Sequence, residues 1–164
     1  MSYYWDENCH PVAYGYSNYS NNCYNKNIYA TSKVKEMLET RYLPIIGATN
    51  LKEVDNYKIR LITLEELQQN LGVSTIINQS WYDASTENSL SWVYQNFGDQ
   101  NKNVYGYWTM TPVPDYSSYE WYVRSDGHVE LEGVNYMDNG VRPVINLLKS
   151  AIIKILKILI TFRN

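Results

Sequence analysis

The chain has 164 residues, with 14 Lys+Arg against 17 Asp+Glu and with 17 Tyr, 5 Trp and 2 Phe. That length suits one domain with a real core. The near balance of charge argues against a nucleic-acid partner, which asks for a broad basic face. Such an aromatic content excludes a disordered chain, and Tyr in place of Phe excludes an oily interior. Tyrosine fills space with its ring and keeps a hydroxyl for a partner, so it is a favoured contact residue of adaptable recognition surfaces.

Residues 1–27 form a polar, Tyr- and Asn-rich segment with neither helical nor strand periodicity. Cys9 and Cys23 lie within it, spaced for one disulfide worth about 3 kcal/mol in the loop-entropy model; two free thiols are the alternative. Met1 to Trp5 has neither the basic start nor the apolar run of a signal peptide. The expectation is an extracellular or cell-surface domain that is part of a longer exported chain, the alternative being an intracellular protein with reduced cysteines.

From Ser32 the spacing of Val34, Met37, Leu38 and Tyr42 predicts a first helix, stopped before Pro44. Tyr57 to Ile62 alternates as a short strand. Thr63-Leu64-Glu65-Glu66 has the form of a capping box, opening a helix with Leu64, Leu67 and Leu71 on one face and Gly72 as its left-handed cap. Residues 73–87 read as loop, 88–97 as one or two helical turns, and 99–103 as a polar loop.

The final third predicts strands. Tyr107 to Met110 alternates until Pro112 and Pro114, and Trp121 to Arg124 leads through Ser125-Asp126-Gly127 into His128 to Glu132. A two-residue loop would set Trp121 against Glu132 and bury acids. A three-residue loop with Gly127 left-handed sets Val123 against Val129 and Trp121 against Leu131, with Tyr122, Arg124, His128 and Glu130 on the outer face. The last strand runs from Gly140 to Leu147, where Pro143 costs a ladder donor and predicts an edge or a bulge. The order helix, strand, helix, loops and then three or four strands is that of an α+β domain.

Several of these segments resemble known domains. Arg60 to Leu67 (RLITLEEL) resembles the strand-to-helix segment RLPTEAEW of formylglycine-generating-enzyme-like, sulfatase-modifying domains, and Gly140 to Val144 (GVRPV) resembles their closing strand. A closer resemblance is to uncharacterised C-type-lectin-fold domains of surface and pilin-like proteins in low-GC Gram-positive bacteria. Their YWL-x-(S/T)-P strand, WYV-x-x-DG hairpin and closing GVRP-x-(I/L)-NL are similar to Tyr107 to Pro112, Trp121 to Gly127 and Gly140 to Leu147. The resemblance covers about residues 28–148. It implies a C-type-lectin-like fold, with two helices packed on a small, twisted, mainly antiparallel sheet and a long irregular loop region as ligand platform. The enzyme's active-site cysteines lie in the C-terminal half, and this chain has no cysteine after Cys23.

Neither catalysis nor a cofactor is expected. His10 and His128 are the only histidines, and His128 falls on the hairpin's outer face beside Arg124. For calcium, the sugar-site triplets Glu-Pro-Asn and Gln-Pro-Asp are missing, Val113-Pro114-Asp115 lacks the first ligand, and Asp138-Asn139 offers two oxygens. The candidate ligand-binding set is Tyr105, Tyr116, Tyr119, Glu120, Tyr122, Arg124, His128 and Asn139, with a glycan or protein ligand as the partner. Trp108 and Trp121 are assigned to the core, and Arg142 to a pairing with a buried acid. A structural subunit of a pilus or phage tail is the alternative function, and an enzyme of the formylglycine-generating type the next.

Residues 149–164 (KSAIIKILKILITFRN) hold four basic residues and no acid, leaving 10 basic and 17 acidic groups in the body. Three lysines make spanning a bilayer unfavourable. An amphipathic helix in peripheral contact with a membrane fits the pattern, as does the product of a frame slip in AT-rich coding sequence.

Overall fold

The structure, a computed structural model, describes residues 27–72, the backbone of 81–83, and residues 106–134 and 139–152. The expectations for Cys9, Cys23, Tyr105, Asp138 and the turns at 88–97 lie outside the described residues.

Ser32 opens the first helix, its hydroxyl accepting from the Lys35 N–H at 3.1 Å. α1 (Lys33–Met37) buries Val34 and Met37, and Leu38 beyond it has no exposed surface. The helix does not stop before Pro44. It passes through a π turn (Leu38–Tyr42) into α2 (Leu43–Ile46) and ends at Gly47. An ordinary turn would press the proline ring on the carbonyl four residues back. The Leu43 N–H instead reaches Leu38, five residues back, and Pro44 falls in the first turn of α2, where no donor is required.

After β1 (Leu51–Lys52) and β2 (Ile59–Arg60), Thr63 and Glu66 form the predicted reciprocal cap of α3 (Leu64–Leu71). Glu66 accepts from the Thr63 N–H at 3.0 Å and Thr63 Oγ1 from the Glu66 N–H at 3.1 Å. Gly72 closes the helix in the left-handed conformation, as its position implied. Glu66 has a second role. Arg60, whose side chain is buried, donates from Nη1 to Glu66 at 2.7 Å and to the Leu61 carbonyl at 2.9 Å. One carboxylate therefore caps α3 and neutralises the buried cation of β2. Its hydrogen bonds to Arg60 hold it below the usual carboxylate range.

Five strands form the larger sheet, in the order β3 (Trp81–Asp83), β6 (His128–Gly133), β5 (Tyr119–Arg124), β4 (Gly106–Pro112), β7 (Asn139–Gly140). All pairs are antiparallel except β4 with β7. The β5–β6 hairpin has the expected three-residue loop and register, pairing Val123 with Val129 and Trp121 with Leu131, and Gly127 has φ +97°. β3 lies within a stretch expected to be loop; three residues are too few to show an alternation, and pairing with β6 makes them a strand.

The closing strand divides. β7 ends at Gly140, residues 141–143 cross over, and β8 (Val144–Leu147) pairs with β1 and β2 in the second sheet. Pro143 sits in the crossover, where its missing donor is not needed. The fold is α+β, with few helices and two sheets, one of them curled into a half-barrel.

Both faces of β4 and β5 are packed. Trp108 and Tyr122 pack with Val34, Met37, Leu38, Ile59 and Leu61 on one side. Tyr107, Trp121, Val123 and Val129 pack with Leu64, Leu67 and Leu71 of α3 on the other. Trp108 and Trp121 are core residues, as assigned.

Thr63→Ala is expected to cost about 1 kcal/mol by loss of the cap. Glu66→Ala should cost about 3 kcal/mol, because it also strands the Arg60 cation. The Glu66 contribution is present above the ordinary glutamate pKa and is lost as pH falls below it. Urea unfolding of both variants at neutral and acidic pH checks the order and the sign.

Candidate functional site

The candidate residues do not converge on one site. The segment from Val113 to Ser118 leaves the sheet between β4 and β5 and returns at Tyr119. Its first four residues make a reverse turn: Pro114 is second, Asp115 takes φ +64°, and the Tyr116 N–H closes on the Val113 carbonyl at 3.3 Å. The Val113-Pro114-Asp115 triplet, weighed for calcium, is thus the body of this turn. Tyr116 projects from it, 58% exposed, and meets Tyr119 edge to face with ring centres 5.8 Å apart.

A residue missed in the sequence holds this loop. The Asn27 side-chain amide donates to the carbonyls of Tyr119 at 2.9 Å, Tyr116 at 3.2 Å and Val113 at 3.5 Å. Its backbone N–H donates to Ser117 at 3.3 Å. Asn27 is itself buried, so the loop's inward carbonyls receive donors from the distant N-terminal segment. Nothing distinguishes this asparagine from its neighbours in an Asn-rich stretch; the proline turn opposite is the one local signal.

Arg124 and His128 lie at the other end of β5, about 17 Å away at the rise of a strand. There Arg124 donates to Glu130 at 2.8 Å and pairs with Asp126, whose carboxylate also faces His128 Nδ1 at 3.1 Å. The hairpin tip is a compact set of ion pairs separate from the tyrosine loop.

Three members of the candidate set are interior. Tyr122 was expected on a solvated outer face, but that face meets the first helix, so the ring packs against Trp108 while its hydroxyl donates to Glu130 at 3.5 Å. Asn139 is buried in β7, between the meander and the crossover. Glu120 has no exposed surface, and neither carboxylate oxygen has a hydrogen-bond partner among the described residues. Burial drives its pKa well up. On the opposite face, burial pushes the Tyr107 phenol up to about 12 against the pull of Arg142, whose guanidinium lies over its ring at 5.3 Å.

Among the described residues no three His, Cys, Asp or Glu side chains come together as a metal cluster. Comparison of the chain with protein-family models, with curated proteins and with solved structures gave no match.

Asn27→Ala should cost about 1–2 kcal/mol, since loop carbonyls lose their donor, and should speed hydrogen exchange at the Tyr116 and Tyr119 amides. Tyr116→Ala should change stability by about 0.5 kcal/mol at most. Glu120 favours folding in its protonated form: that stability is complete below the ordinary glutamate pKa and is lost as pH rises above it. Glu120→Gln should therefore remove a decline in melting temperature between mildly acidic and mildly alkaline pH, measured by thermal denaturation.

Proposed function

We propose that this chain is a non-catalytic recognition module of C-type-lectin-like fold, displayed at a bacterial surface as part of a longer exported chain, and that it binds a glycan or protein ligand through the Tyr116 loop. The observation that carries this reading is Tyr116 itself, an aromatic ring held out to solvent by a closed turn, a partner ring and a buried asparagine clamp. A ring already fixed in place loses little entropy when it stacks on a sugar face or an apolar side chain. Tyr119, half-buried at the base of the loop, extends the apolar surface, and Asp115 beside it offers a carboxylate.

The lectin-like fold is supported by the element order, by a helix on each side of the larger sheet, and by the positions of the resembling motifs. These fall on β4, on the β5–β6 hairpin and on the closing strands. The ligand surface is thereby reduced from the eight-residue set to the Tyr116 end of β5, with the Arg124–His128 tip outside it.

Glycan and protein arrays probed with the wild type, Tyr116→Ala and Arg124→Ala test the reading. The expected result is a ligand whose binding falls about tenfold with Tyr116→Ala, the loss of about 1.4 kcal/mol that one stacked ring supplies, and is unchanged with Arg124→Ala. Binding that ignores Tyr116, or depends on Arg124 alone, would overturn it.

A further inference from the structure

The charge around the Tyr116 loop has one sign. Asn27 bonds to it from one side, and residues 132–134 meet it from the other, where Tyr119 pairs with Gly133 and the Val134 N–H donates to the Ser118 carbonyl at 2.9 Å. With the loop itself, residues 113–120, these segments carry Asp115, Glu120 and Glu132 and no Lys, Arg or His. Glu120 is buried, and Glu132 is half-buried with Oε1 accepting from the Gly133 N–H at 3.2 Å. Asp115 is exposed, and its carboxylate has no hydrogen bond or ion pair among the described residues. Other surface carboxylates are matched within the molecule: Glu36 by Lys33 and Glu39 by Lys35, each at 2.8 Å, and Asp126 and Glu130 by Arg124. Nor does the turn require the charge of Asp115. It requires φ +64°, which asparagine or glycine supplies uncharged.

The shape of the loop narrows the ligand further. Small ligands such as sugars are held in concave sites by several fixed polar groups. Here the ring stands out from the turn, and the Asn27 amide is spent on loop carbonyls. A projecting tyrosine is a form of anchor enriched in protein–protein contacts. An aromatic face attracts a cation, and so does a free carboxylate. Consecutive Cα atoms are about 3.8 Å apart, so one guanidinium or ammonium group can meet both Tyr116 and Asp115. An acidic segment or an anionic glycan would be repelled.

We propose that the ligand is a basic protein segment that presents an arginine or lysine side chain to Tyr116 and Asp115. This rests on the reading of Tyr116 as the binding residue and narrows what it binds. The full chain is probed with short synthetic peptides of equal length and basic, neutral or acidic composition, beside neutral and anionic glycans, at low and high salt. Basic peptides should be retained and released by salt. Asp115→Asn, which keeps the turn, should weaken their binding about threefold, the effect of one exposed ion pair. Tyr116→Phe should hold it within about twofold, since the ring face remains, and Tyr116→Ala should reduce it about tenfold. Glu53→Gln, which removes one exposed charge in the β1–β2 connection, should leave it unchanged. Binding through Tyr116 that ignores both Asp115→Asn and salt, whether to a glycan or to neutral peptides, would overturn the proposal and leave Tyr116 as the binding residue. Retention of no basic peptide would also overturn it. Basic peptides whose binding survives Tyr116→Ala would overturn both the proposal and the reading of Tyr116.

Discussion

The constraint on which the rest of the molecule depends is that the central strands β4 and β5 are packed on both faces. The first helix covers one side and α3 the other, so the odd and even residues of β5 are both interior. In a sheet with one face in water, half of its side chains would be open to a ligand. Here the strands hold the cores, and what stands out into solvent rises from the sheet at its ends. The turn at Val113–Tyr116 does so, and with it the most exposed aromatic side chain among the described residues.

Two glutamates show how the same packing treats a carboxylate in opposite ways. Glu66 meets a buried arginine and the Thr63 backbone N–H at a helix start, and is stabilised as an anion. Glu120, on a strand covered on both faces, meets no donor among the described residues and is stabilised as the neutral acid. Their effects on stability run in opposite senses with pH. A joint acting through Glu66 ties β2 to α3, and the bulged part of β4 completes it: the Met110 N–H donates to the Ile62 carbonyl at 2.9 Å and Thr111 Oγ1 accepts from the Leu64 N–H at 2.8 Å. The irregularity in β4 thereby gives its donors and acceptors to the β2–α3 connection instead of to β5.

The Tyr116 loop and the β8 rim are built differently. The Tyr116 loop is preorganised, since its carbonyls, its turn and its ring are each held by a partner. Such a surface gains affinity from low entropic cost and selects by shape. The β8 rim, at Ile145 and Leu147, is an incompletely covered stretch of core.

What the sequence determined by itself was everything decided within a few residues. The Thr63–Glu66 cap, the Gly72 stop and the three-residue hairpin with its register were legible because each follows from local hydrogen bonding or from side-chain alternation across one turn. Tertiary structure decided which faces met solvent. Tyr122 read as an outward residue of an alternating strand, and became interior because a helix from a distant part of the chain covers it. Pro44 ended a helix on local grounds, yet a π turn carried the chain past it; the closing strand read as one piece, yet its halves serve two sheets. The Asn27 clamp, reaching its acceptors across some 90 residues, left no local trace, because a lone asparagine has no periodicity and its three acceptors are backbone carbonyls that any sequence would supply.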